Sequence, residues 1–144
     1  MIKPNVSQAS WRQRGNRGRR RKGVAAVELA VCLPVIILLV FGAIEASSFI
    51  FLKQSLNVAA YEGIRESIRV GSSNAEGAQR AGDILTSRSV QDFEIRFPNG
   101  DASEAERGDE IVIEVVAPTS TNSPLAGQFV TNRILTARVV MVKE

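Results

Sequence analysis

The chain has 144 residues, is 44% hydrophobic and carries 18 Lys and Arg against 15 Asp and Glu, which leaves room for one modest domain. It has no histidine, the commonest general base and metal ligand, and its single cysteine, Cys32, excludes an intramolecular disulfide and a cysteine-based zinc site. The net charge of +3 averages two unlike parts: residues 1–22 hold eight basic residues and no acidic one, so a +8 tail is joined to a −5 body.

The tail ends in "RRRKG", and the chain then turns apolar at once. From Val24 to Leu52 the only charged residues are Glu28 and Glu45, with sixteen uncharged, mostly apolar residues from Leu29 to Ile44 between them. As a helix that stretch spans about 24 Å, and "ASSFIFL" extends it toward the roughly 30 Å of a hydrocarbon core. The two glutamates lie about 25 Å apart along such a helix, so each is expected close to water at one membrane interface. Arg12, Arg14, Arg17, Arg19, Arg20, Arg21 and Lys22 directly precede the run, as the positive-inside rule requires of a cytoplasmic flank. Pro34 frees one backbone carbonyl within the helix, a fault that membrane spans tolerate.

Two other readings of the same residues exist. The basic, apolar and small-residue order, with "EASS" at residues 45–48, also suits an ordinary secretory signal, which would release a soluble binding module. That reading leaves Glu28 and the resumed "FIFL" unexplained. The tail's arginines with Trp11 also suit nucleic acid, Trp11 stacking on a base. A topology signal that also holds anionic lipid needs fewer assumptions, because the tail abuts the span.

Beyond Leu52 a helix continues through "KQSLNVAAYEGIRESIRV", with Leu56, Ala60, Ile64 and Ile68 on one face and Gly71 as its stop. Ser73 and Glu76 form a capping box that opens a second helix, with Ala75, Ala78, Ala81 and Leu85 as its apolar stripe. From Val90 the period changes to two. "DFEIRF" places Phe93, Ile95 and Phe97 on one face, and "PNGD" is a turn. "EIVIEVVA" sets Ile111, Ile113 and Val115 on one face, and "RILTARVVMV" sets Leu135, Ala137, Val139 and Met141. Residues 125–131 suggest a helical turn or a short strand. The expected architecture is α+β: a long N-terminal transmembrane helix continuing into a small head of one or two helices and about three antiparallel strands.

No catalytic constellation or phosphate-binding loop is present, so neither enzyme activity nor a cofactor or small-molecule substrate is expected. Asp101, Glu104, Glu106, Asp109 and Glu110 crowd one loop and leave a calcium site open, without the ligand spacing of a known loop.

Basic residues ending in glycine, four small or apolar residues, a glutamate and an apolar helix ("RRRKG/VAAVE") together resemble the class III signal of type IV pilins and pseudopilins. The resemblance is strongest to the TadE-like minor pilins of tight-adherence (Tad) systems, through "LPVIILLVFGAIEASS", the helical "AAYEGIRESIRVG" and the later "RGDEIVIEV" and "LTARVVMVKE". It implies that a prepilin peptidase cuts after Gly23, that Val24 becomes the N-terminus, and that Glu28 neutralises the α-amine of an adjacent subunit. Such a contact acts as an assembly register, because a misaligned neighbour leaves two charges buried and unpaired. Leu29 stands where major pilins of these systems commonly have an aromatic residue, which favours a minor component. The implied organisation is a basic cytoplasmic leader (1–23), a transmembrane helix (24–52) and an extracytoplasmic head (53–144). The implied setting is the bacterial inner membrane, with other pilin or pseudopilin subunits as partners.

Overall fold

The computed structural model describes residues 17–123 and 133–143, with side chains from Gly23 onward. The expected turn or strand at residues 125–131 lies outside them, as do Arg12 and Arg14. The architecture is α+β, as the sequence indicates: helix α1 (Arg17–Ser67), helix α2 (Asn74–Ser87), and strands β1 (Glu94–Arg96), β2 (Glu110–Pro118) and β3 (Ile134–Val142). Helix α1 has 51 residues and runs through Pro34. The chain divides after Leu39 into two compact units.

The first unit contributes the apolar start of α1. Its large side chains are exposed throughout, with Val27 at 65%, Val31 at 71% and Leu38 at 70%. From Gly23 to Ser67 the helix is long enough and apolar enough (mean hydropathy 2.8 in its best stretch) to cross a membrane.

The second unit, from Val40, is built on a three-stranded antiparallel sheet of order β1-β2-β3. Strand β2 lies in the middle because it carries the densest apolar face: Ile111, Ile113, Val115 and Ala117 are all buried. They stand opposite Met141, Val139, Ala137 and Leu135 of β3, and Val115 also pairs with Ile95 of β1. Helix α1 closes this core with Leu52, Leu56, Ala59, Ala60 and Ile64, and α2 adds Ala81 and Leu85. The four-residue stripe expected on α1 is therefore the buried one. The opposite sheet face is mixed: Glu114 lies cross-strand from both Arg96 and Arg138, and Val112 from Val140.

Helix α1 ends at Ser67, and the chain turns through Gly71 at φ +82°. The Ser73 backbone N–H and the Ser72 hydroxyl both donate to Glu76 Oε2, at 3.0 and 2.6 Å, which fixes the start of α2. The face that α2 buries differs from the alanine stripe. It is Gly77, Ala81 and Leu85, with Ala78 half-buried and Ala75 exposed. The reason is a close helix crossing: a Cβ on Gly77 would lie 2.6 Å from Gly63 O, so glycine, and not alanine, sits at the contact.

Strand β1 is shorter than the alternation suggests. Ser89 and Asp92 take positive φ, and the ladder forms only at Glu94, Ile95 and Arg96. Phe93 and Phe97 still pack on the core from outside the paired residues.

Candidate functional site

The residues singled out by the sequence sit on α1. Gly23, Val24 and Glu28 all lie in its N-terminal part and are exposed, Val24 at 57%. A Cβ added to Gly23 would meet nothing within 4 Å, so packing in the isolated chain does not require glycine there. Arg17, Arg19, Arg20, Arg21 and Lys22 form the first turns of the same helix.

An exposed apolar helix with a carboxylate near its start is chemically incomplete in water. Its side chains suit a lipid or protein environment. Among the described residues Glu28 makes no ion pair. Cys32 is exposed on the same helix and free.

Glu45 behaves otherwise. The sequence suggests an interfacial carboxylate close to water, yet the residue is only 7% exposed. Its helical position explains the difference, because Glu45, Leu52 and Ala59 are spaced by seven and share the face turned to the sheet. Glu45 Oε2 accepts a hydrogen bond from the Ser123 hydroxyl at 2.7 Å, whereas Oε1 is buried without a hydrogen-bond partner.

The acidic loop has local structural uses. Asp101 Oδ1 accepts from the backbone N–H groups of Ser103 and Asn74 at 3.0 and 3.3 Å, and these bonds hold its carboxyl below the usual range. Asp109 Oδ2 accepts from the Glu106 N–H at 2.9 Å. Asn74 further bridges α2 to this loop through Gly100 O and the Ala102 N–H. Among the described residues no group of three or more His, Cys, Asp or Glu side chains is placed to hold a metal ion.

On the outer sheet face, Arg96 forks onto both oxygens of Glu94, which lowers the carboxyl's pKa and raises that of the guanidinium. Arg138 reaches Glu114 at 3.5 Å. These exposed pairs suit a solvated sheet surface and assemble no acid–base machinery.

No curated protein and no solved structure matches the chain. A family model, described as TadE-like protein, matches residues 23–65. The match begins at Gly23, includes both glutamates and the whole apolar run, and stops before α2 and the sheet. The TadE-like family is a pilin-related family and not a family of enzymes. Through the helix that carries Glu28 and Glu45, the chain is therefore similar to the TadE-like proteins over residues 23–65.

Proposed function

We propose that the chain is a membrane-anchored minor pilin or pseudopilin that takes part in assembling a Tad-type pilus and is processed by prepilin peptidase after Gly23. The basic leader stays on the cytoplasmic side of the inner membrane, and the head lies on the periplasmic or extracellular side. Partner pilin or pseudopilin helices, with lipid, cover the apolar part of α1. Chemistry is done to this protein, and its own work is contact.

The observation that carries this reading is the family match starting at Gly23, on a helix whose large apolar side chains from Val24 to Leu39 are exposed. A helix of that kind needs a hydrophobic environment. After a cut at Gly23, the Val24 α-amine and Glu28 are opposite charges one helical turn apart in sequence. Pairing them between staggered subunits removes the cost of burying either alone.

Glu45 supports the same reading against an ordinary secretory signal. A cut in the "EASS" segment would remove Glu45, which accepts from Ser123 in the head, and would begin the chain inside a continuous helix. The test is the mass of the mature N-terminus from membrane-extracted protein. A start at Val24 supports the proposal, and an intact leader beside an active peptidase overturns it.

A further inference from the structure

The sheet has two edges, and they are built differently. Strand β1 has three residues and carries both Glu94 and Arg96, a short, charged edge of the kind that discourages pairing. Strand β3 has nine residues, with Arg138 as their one charged side chain and no proline among them.

The bonds around β3 show which of its backbone groups face outward. The Thr119 N–H donates to Arg133 O and the Lys143 N–H to Asp109 O, and both bonds extend the β2–β3 register, so the odd-numbered residues bond to β2. The N–H and C=O groups of Ile134, Thr136, Arg138, Val140 and Val142 therefore point away from it. Lys53 Nζ donates to Thr136 O, in agreement with that alternation. Among the described residues this is the only hydrogen bond made to the outer edge, which leaves the backbone from Arg138 to Val142 unpaired there.

The core is also incomplete on this side. Leu135, Val139 and Met141 are only partly buried, whereas Ala117, Ile113 and Ile111, opposite them on β2, are at most 2% exposed. On the other face of β3, Val140 and Val142 are about half exposed.

We propose that β3 is completed by a fourth strand, an extended segment of a different pilin-type subunit, with apolar residues at every second position on the core side and a carboxylate beside Arg138. The inference rests on the assembly reading for the source of that strand.

Three features point to this occupant. Backbone donors and acceptors that recur every second residue, about 6.8 Å apart, are matched by another extended backbone, and neither lipid nor the internally bonded backbone of a helix can match them. Leu135, Val139 and Met141 favour apolar neighbours on the core side, and Arg138, which reaches Glu114 only at 3.5 Å, can take a second carboxylate on the outer side. The β3 edge of a second copy does not fit, because of its direction. Thr136 stands at Lys53, and Ile113, paired with Val139, lies against Gly63, so β3 and this part of α1 run the same way. Two β3 edges related by a two-fold axis run antiparallel and would send their α1 helices in opposite directions, whereas the assembly reading has both enter one membrane.

The probe for the test is a synthetic peptide of alternating valine and threonine with one central glutamate, added to the detergent-solubilised full-length protein. Residue-by-residue amide exchange is the readout. Without peptide, the Arg138 and Val140 amides should exchange fast, and those of Val139 and Met141, bonded to β2, slowly. With peptide, Arg138 and Val140 should slow by about tenfold or more. Val140→Pro removes an N–H that the chain's own sheet does not use, so it should weaken peptide binding by about tenfold or more while the thermal midpoint of the head moves by less than about 5 °C. A peptide N-methylated at alternate residues cannot pair and should not bind, which decides the question even where the proline variant fails to fold. Unchanged exchange at Arg138 and Val140, equal binding of the methylated peptide, protection on another strand alone, or a two-chain species joined through β3 would each overturn the proposal. The mature N-terminus of the same sample separates the two ideas: a chain starting at Val24 without protection at β3 refutes the added strand and leaves the pilin reading standing, and protection on a chain that keeps its leader does the reverse.

Discussion

Gly77→Ala probes the contact on which the head depends. An alanine Cβ there would stand 1.8 Å from Ser67 Oγ, 2.6 Å from Gly63 O and 3.1 Å from Ser67 Cβ. The serine hydroxyl can rotate away, losing its bond to Gly63 O, which is worth about 0.5–1.5 kcal/mol. The Gly63 carbonyl is backbone and cannot move alone. It lies about 0.4 Å inside the 3.0 Å that real Cβ contacts respect, so α2 must shift away from α1. Overpacking of this kind costs about 1–3 kcal/mol, against a gain of up to about 1 kcal/mol from replacing a helical glycine. The net expectation is a loss of about 1–3 kcal/mol. Hydrogen exchange of α2 and β2 amides in the detergent-solubilised full chain should then speed up by about 5- to 150-fold. Gly82→Ala is the matched control, because its Cβ would meet only Phe93, at 3.9 Å, and it should slow exchange. Equal exchange rates in the two variants would refute the close-crossing argument.

Glu45→Gln should leave the head's stability within about 1 kcal/mol, because the amide oxygen still accepts from Ser123; thermal unfolding of the two proteins reads the difference. Glu45→Leu in the same assay should be less stable than Glu45→Gln, since it strands the Ser123 hydroxyl. The folded-state pKa values of Glu76 and Asp101 are lowered, first by the Ser72 hydroxyl and the Ser103 N–H respectively, so their contribution to stability is complete above the unfolded values of 4.5 and 3.8 and is lost as pH falls through the folded ones. Unfolding between pH 6 and pH 3 should show a fall confined to the acid end, shallower in Glu76→Gln. For Glu28→Ala we expect normal cleavage and failed assembly with partner pilins, read by N-terminal mass and by co-purification; normal assembly would refute the register role.

Strands β2 and β3 were legible because every second residue on one face of each is apolar, which gives the core-facing side, although Val112 on the other face of β2 is buried as well. The face of α2 was not, because alanine signals packing in sequence whereas the Gly63–Gly77 crossing is set by how near two backbones come. Strand β1 kept its face and lost length, since alternation reports which side a residue faces and not whether a neighbouring strand reaches it. Glu28 and Glu45 look equivalent as charges bounding an apolar run. Only the tertiary fold separates them, by bringing Ser123 onto one while the other remains exposed.

The most direct test of the account is intact-mass and N-terminal peptide analysis of the protein extracted from membranes of cells with an active prepilin peptidase. The account predicts a single mature chain beginning at Val24, absent when the peptidase is inactivated. A chain that keeps its basic leader, or one that begins near Ser48, would contradict it.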